Sequence, residues 1–170
     1  MAERKQKMKT LYLIRHAKSD RTTEDIADID RPLNARGYRD AQMMSKKFIS
    51  ENKAPHIVFT SPAIRAMSSA LIFCPNIDYS VGNIKIEQSI YEASVETMLN
   101  FIAQIDDRYE SAMIFGHNPT TTNLANILCS GNIDNVPTCG IATIQFDVFA
   151  WMNTRSGGAK LLSFDYPKKI

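Results

Sequence analysis

The stretch Leu11-Tyr-Leu-Ile-Arg15-His16-Ala17 constrains the fold of this chain more than any other. It begins as an apolar, strand-forming run and breaks off in an arginine and a histidine, the side chains least expected at the end of a buried strand. In an open α/β sheet, ligands bind in the crevice outside the carboxyl ends of the strands, so an Arg15-His16 pair delivered there would face that crevice.

Two further junctions of this kind follow along the chain. After a first strand over Thr10 to Arg15, the residues from Ala17 to Pro32 are dense in Asp, Ser, Thr and Arg without a period, and a loop that long in a compact domain is usually functional or disordered. Gly37, Ala41, Met44 and Phe48 then recur at helical spacing, with Asn34 as the cap. Ile57-Val-Phe-Thr60 reads as a strand, followed by Ser61 as cap and Pro62 in the first helical turn, which places Arg65 just past the strand end. A strand over Ile84 to Glu87 and a helix capped by Ser94 follow, carrying Val95, Met98, Leu99, Ile102 and Ile105. The run Ser111 to Phe115 ends in Gly116-His117-Asn118-Pro119, with Asn118 capping a helix that Pro119 opens and Gly131 stops. Beyond Cys139-Gly140 the period changes to two over Ala142, Ile144, Phe146 and Val148. A last strand near Lys160 to Tyr166 follows a turn containing Gly157-Gly158. The expected architecture is an α/β three-layer sandwich: a mixed, mainly parallel central sheet, helices on both faces and a C-terminal antiparallel hairpin.

A chain of 170 residues fits one core, so residues 1–170 are read as a single domain with a loose polar leader over 1–9. No apolar run reaches the roughly 20 residues of a membrane-spanning helix, and no signal core follows the basic start, so the expected location is cytoplasmic. A formal net charge of +2, with acids and bases interspersed, gives no nucleic-acid footprint. Cys74, Cys129 and Cys139 form no CxxC pair and are read as reduced core residues. Oligomeric state has no signature here.

Arg15, His16, Arg65 and His117 thus come from three strand-to-loop junctions on one sheet edge. Arginine forks bind phosphate oxygens in pairs, and phosphoryl transfer depends mainly on positioning and on neutralising charge at the equatorial oxygens. A neutral imidazole whose other nitrogen is held by a hydrogen bond can attack phosphorus and form a phosphohistidine that water hydrolyses. Other phosphatase chemistries lack their residues. An arginine six positions after each cysteine is missing, those positions being Ser80, Asn135 and Gln145; Asp28-Ile-Asp30 has no preceding apolar strand; and no P-loop or GxSxG motif occurs. No third ligand at a recognisable spacing joins His16 and His117, so neither metal nor cofactor is expected.

The segments Leu-Ile-Arg15-His16-Ala, Asp30-Arg-Pro-Leu-Asn34-Ala-Arg-Gly37, Thr60-Ser-Pro-Ala-Ile-Arg65-Ala and Gly116-His117-Asn118-Pro119 together resemble the histidine phosphatase superfamily, in its phosphoglycerate mutase-like fold and nearest its short SixA-type phosphohistidine phosphatases. That resemblance implies His16 as the phosphorylated nucleophile, Arg15 and Arg65 as phosphoryl clamps, and His117 as the second pocket histidine stabilising the transition state. It also points to Glu92 as a candidate proton donor, with Asp20 and Glu24 as runners-up. The chain has little room for a cap over the pocket, so the implied substrate is phosphohistidine on another protein. A small-molecule phosphomonoesterase or mutase, or a non-catalytic phosphoprotein-binding module, are the alternatives.

Arg31 is read as a loop salt-bridge partner of Asp30 or of a helix end, Tyr91 as a packing residue, and His56 as a surface residue. Lys18, Ser19 and Thr22 are read as solvated entrance residues, and Thr138 and Gly140 as a turn that shapes the pocket. If the chemistry runs through histidine without metal, vanadate, which mimics pentacoordinate phosphorus, inhibits turnover and EDTA does not; loss of activity in EDTA would contradict it.

Overall fold

The computed structural model describes residues 8–156 and 158–169. Its six strands are β1 (Lys9–Arg15), β2 (Ile57–Thr60), β3 (Lys85–Ile86), β4 (Ser111–Gly116), β5 (Ile141–Phe146) and β6 (Lys160–Asp165), joined in the order β3-β2-β4-β1-β5-β6. The helices are α1 (Ala35–Glu51), α2 (Ile64–Asn76), α3 (Val95–Ala103) and α4 (Thr120–Cys129). β1, β2, β3 and β4 run parallel, while β5 pairs antiparallel with both β1 and β6.

The apolar runs are continuous because both sheet faces are covered, and successive side chains of one strand enter different cores. Leu11 and Leu13 of β1, with Ala112 and Ile114 of β4, pack under α3 and α4; Tyr12 and Ile14, with Met113 and Phe115, pack under α1 and α2. α1 therefore leaves β1 on one face, and α4 leaves its neighbour β4 on the other. That divergence is the topological switch point at which an open α/β sheet forms its ligand crevice.

Local chemistry sets most element ends as expected. Asn34 accepts a hydrogen bond from Gly37 N–H, and Ser94 one from Thr97 N–H. Four expectations are corrected. Helix α2 starts at Ile64 rather than Pro62, because Ser61 Oγ instead accepts from Ala63 N–H at 3.2 Å and turns the chain before the helix. α4 begins at Thr120 after the cis Asn118-Pro119 bond, although Asn118 Oδ1 still accepts from Thr122 N–H at 3.3 Å. Ser130, not Gly131, takes the left-handed position that ends α4. The connection between β5 and β6 is no tight turn: it carries a 3-10 segment, Trp151–Ser156, and Gly157 lies outside the described residues.

The leader also ends earlier than expected. Residues 1–7 lie outside the described residues, but Lys9 belongs to β1 and is buried, its ammonium donating to the carbonyls of Asp107 (2.7 Å) and Tyr109 (3.0 Å) 5.6 Å from the Trp151 ring centroid. The period-two pattern of β5 does not become an exposed face, because this strand lies between β1 and β6 with most of its residues buried. The strand expected over Ile84 to Glu87 shrinks to Lys85–Ile86 at the sheet edge.

One close approach ties the fold to the crevice. Gly37, in the first turn of α1, lies against the Lys18 backbone, where an added Cβ would stand 2.1 Å from the Lys18 carbonyl oxygen. Lys18 O also accepts from Asn34 N–H at 3.0 Å, and Ser19 bridges to Leu33, so α1 is the wall on which the segment after His16 rests. Gly37→Ala must push that segment outward. The expected result is a loss of about 1–3 kcal/mol in denaturant unfolding together with a fall in kcat/KM; unchanged stability and activity would contradict this packing.

Candidate active site

A pocket of about 280 Å³ opens at the carboxyl ends of β1, β2 and β4, bordered by Arg15, His16, Asp28, Arg65, Tyr91 and His117. β1 carries Arg15 and His16 beyond its last side-chain layer through backbone pairing: His16 N–H donates to Gly116 O at 3.0 Å, and Cys139 N–H lies 3.0 Å from Arg15 O and 3.1 Å from His16 O. Ala17 N–H then donates to Ser69 Oγ at 2.8 Å, whose hydroxyl donates to Arg65 O in α2 at 2.6 Å. The chain around the histidine is thereby fixed by β4, by the turn before β5 and by α2.

The His16 ring is oriented. Its Nδ1 lies 2.7 Å from Ala17 O, which requires the proton on Nδ1, so the Nε2 lone pair faces Arg65 Nε, a donor 3.3 Å away. His117 stands with its ring centroid 5.2 Å from that of His16, and its Nε2 is 2.7 Å from Ser61 Oγ. With Ser61 Oγ donating to His117 Nε2, the proton of a neutral His117 sits on Nδ1. That Nδ1, Arg15 Nε and Arg31 Nε are buried without partners among the described residues. All three belong to residues that border the pocket.

Burial lowers His16 to about 3 against the opposing hydrogen bond to Ala17 O, with His117, Arg65 and Arg15 adding to the shift; burial and the nearby guanidiniums, Arg65 foremost, lower His117 to about 4. Both imidazoles are neutral at pH 7, so His16 retains its lone pair. The guanidinium of Arg65, 5% exposed, donates through Nη2 to Asp28 Oδ2 at 3.0 Å and through Nη1 to Asp28 O at 2.5 Å. Tyr91 OH donates to the same Oδ2 at 2.8 Å, and Arg31 Nη2 lies 2.8 Å from Oδ1. Partial burial works against the Asp28 carboxylate, but the bonds from Tyr91 and Arg65 outweigh it and keep its pKa below the usual range.

The four side chains singled out at the junctions, Arg15, His16, Arg65 and His117, meet in this pocket. Glu92 also borders it, in a left-handed backbone conformation (φ 53°), and is exposed at the rim. Lys18 and Ser19 border the pocket, Ser19 buried rather than solvated as read, whereas Thr22 does not; it bonds the Asp20 carboxylate, and Glu24 is not among the lining residues. One reading is corrected and one extended. Arg31 pairs with Asp28 rather than Asp30 and borders the pocket; Tyr91 does not merely pack, because its hydroxyl holds Asp28 and its ring stands edge-on to His117 at 5.7 Å. The parts that Asp28, Ser61 and Ser69 play at the site were missed: Asp28 was weighed only as a nucleophile and set aside, and Ser61 was read as a helix cap. The one local sign was the i,i+3 spacing of Asp28 and Arg31 inside an otherwise unpatterned loop.

No group of three or more His, Cys, Asp or Glu side chains among the described residues is arranged to hold a metal ion. The histidines are instead backed by hydroxyl, carbonyl and guanidinium groups. The arrangement can bind a tetrahedral dianion against Arg15, Arg65 and His117 and present His16 Nε2 to its central atom.

The two histidines also make stability depend on pH. Each binds its proton more weakly folded than unfolded, so between the unfolded value near 6.5 and the folded values of about 3 and 4 the unfolded chain holds more protons. Their contribution is complete above pH 6.5 and is lost as the pH falls toward 4. Urea unfolding from pH 7 to pH 4.5 is expected to show falling stability for the wild type and a shallower fall for His117→Asn. Parallel slopes would contradict the assignment.

The sequence profile described as the histidine phosphatase superfamily (branch 1) matches residues 11–125. A protein of Mycobacterium tuberculosis strain H37Rv is 30% identical over 165 residues, covering 91% of this chain and 100% of that protein. Among solved structures, the SixA protein of Agrobacterium tumefaciens superposes with a TM-score of 0.80 at 24% identity, over 94% of this chain and 98% of that one. A protein histidine phosphatase SixA solved with tungstate gives 0.79 at 17%, over 94% and 98%. The chain belongs to branch 1 of the histidine phosphatase superfamily and is a phosphatase with a SixA-like fold.

Proposed function

We propose that the protein hydrolyses phosphohistidine in other proteins through a phosphohistidine intermediate on His16. The observation that carries this reading is the state of His16: its Nδ1 proton is committed to Ala17 O, its ring is neutral at pH 7, and its Nε2 faces an arginine-lined anion pocket. Arg15 and Arg65 hold the equatorial oxygens, and the Nδ1–H of His117 adds a donor for charge developing in the transition state.

In the first step the His16 Nε2–P bond forms as the bond from phosphorus to the donor imidazole breaks, and the electron pair leaves with that ring. The departing imidazole takes a proton from solvent or from Glu92 at the rim. In the second step water attacks phosphorus and the His16 Nε2–P bond breaks, its electron pair returning to Nε2, while the proton of the water passes to solvent or back to Glu92 and orthophosphate leaves. Asp28 supports this cycle by holding Arg65 and Arg31 in place, and it is no acid at neutral pH because its carboxylate is stabilised as the anion.

A protein substrate is supported by the site's position at a surface crevice with polar residues such as Lys18, Arg21 and Thr138 on its border. It is supported also by likeness in fold to a protein histidine phosphatase SixA that was solved with tungstate, an oxyanion of phosphate-like shape.

Wild type and His16→Ala are to be incubated with a phosphohistidine protein, a phosphoserine peptide and sugar phosphates. The expected outcome is an acid-labile phosphoenzyme and released phosphate from the phosphohistidine protein with wild type, and turnover reduced at least about 10³-fold in the variant, as for loss of a covalent nucleophile. Turnover of sugar phosphates alone would sink the protein-substrate reading, and binding without phosphoenzyme or turnover would make the chain a phosphoprotein-binding module.

A further inference from the structure

A second hollow, about 340 Å³, adjoins the phosphate pocket, and Glu92, His117 and Asn118 border both. It descends between the 3-10 turn before Glu92, α3, α4 and the sheet, and its floor is Leu13, Ile90, Ile114 and Leu124, all buried. Its volume lies within the roughly 300–1,000 Å³ of small-molecule sites.

Apart from Glu92 and the Nδ1 of His117, both shared with the phosphate pocket, its polar lining is already committed. Thr120 Oγ1 donates to Ala93 O at 2.5 Å and Thr121 Oγ1 to His117 O at 2.9 Å. Asn118 Nδ2 is shared between Asn135 Oδ1 and Val136 O, and Asn118 Oδ1 receives Thr122. A polar occupant would lose its hydration there and gain few partners, whereas an apolar one would fit without that cost. The one ionisable carboxyl on the lining is Glu92, at the seam with the phosphate pocket.

We infer that this hollow is a leaving-group subsite, and that the enzyme also hydrolyses phosphate monoesters whose alcohol is a bulky apolar aromatic group. The inference rests on the phosphoryl chemistry proposed for His16. With phosphorus between Arg15 and Arg65, the ester oxygen lies at the seam and the aromatic body enters the hollow over Ala93 and Met98. The His16 Nε2–P bond forms and the P–O bond breaks; the electron pair stays on the ester oxygen, which takes the proton of the Glu92 carboxyl; water then releases orthophosphate from His16 while a proton returns to Glu92. The aryloxide leaves at the seam beside that carboxyl, so the hollow and Glu92 serve the same class of ester.

The test compares kcat/KM of the full chain for 2-naphthyl phosphate and phenyl phosphate, with phosphoramidate as a donor too small to enter the hollow. Phenol and naphthol are of similar acidity, so the ratio reports the fit of the second ring. One buried methylene is worth about fourfold, and a wild-type ratio of at least about fivefold in favour of naphthyl is expected. Ala93→Leu fills the mouth of the hollow and should bring the ratio to about one while leaving phosphoramidate turnover unchanged; Met98→Phe serves the same purpose should Ala93→Leu not fold.

A smaller wild-type ratio, or a ratio that survives filling of the hollow, overturns the inference. So does turnover of phosphoramidate with neither aryl ester hydrolysed, and that outcome leaves the His16 chemistry standing. Failure of all three donors together with absence of a phosphoenzyme overturns the phosphatase reading itself, and the subsite with it.

Discussion

The site depends on a short continuation of β1 past the end of its regular pairing. His16 N–H is held by Gly116 O, and the carbonyls of Arg15 and His16 both face Cys139 N–H. These are backbone bonds, so they place the main chain of the histidine independently of its side chain, whose ring is then turned by the bond from Nδ1 to Ala17 O. Because β1 is flanked by β4 and β5, the same bonds that orient His16 also set its distance from His117 at the end of β4. Any change that slides β1 against β4 would separate the two imidazoles before it unfolded the domain.

The second constraint is charge. Arg15, Arg31 and Arg65 converge on a site whose imidazoles must remain uncharged if one of them is to keep a lone pair. Burial is the larger cause of that neutrality, and the cations add to it by disfavouring a further positive charge. Asp28 balances the cluster from the loop side. At 53% side-chain exposure it sits in solvent reach, where a salt bridge contributes little to stability, so its consequence is geometric: it sets the plane of the Arg65 guanidinium. The carboxylate thus belongs to the same electrostatic unit as the residues it faces.

The fold was legible where a local rule decides the structure. Asn34 ahead of Gly37, and Ser94 ahead of Thr97, satisfy orphan amides within a single turn, so their helices start where the capping residues place them. The doubly covered strands reveal themselves as unbroken apolar runs for an equally local reason. Errors fell where a neighbour in space overrides the local rule. Ser61 looked like the cap of α2, yet its hydroxyl serves the turn before the helix and the His117 ring. Lys9 looked like part of a polar leader, yet two carbonyls near Asp107 and the Trp151 ring draw its ammonium under the sheet end.

By itself the sequence determined the layers, the parallel order of the first strands and the presence of Arg15, His16, Arg65 and His117 at strand ends, because periodicity and junction chemistry are written along the chain. Only the tertiary structure decided what surrounds them. Tyr91 reaches Asp28 across 63 positions and Ser69 reaches Ala17 across 52, from 3-10 turns and helix faces that carry no pattern of their own. The second, apolar hollow is likewise a product of packing, since Leu13, Ile90, Ile114 and Leu124 read in sequence as ordinary core residues. Periodicity specifies which side of an element is buried; what lies opposite it, and whether the gap is filled, is fixed only when the elements meet.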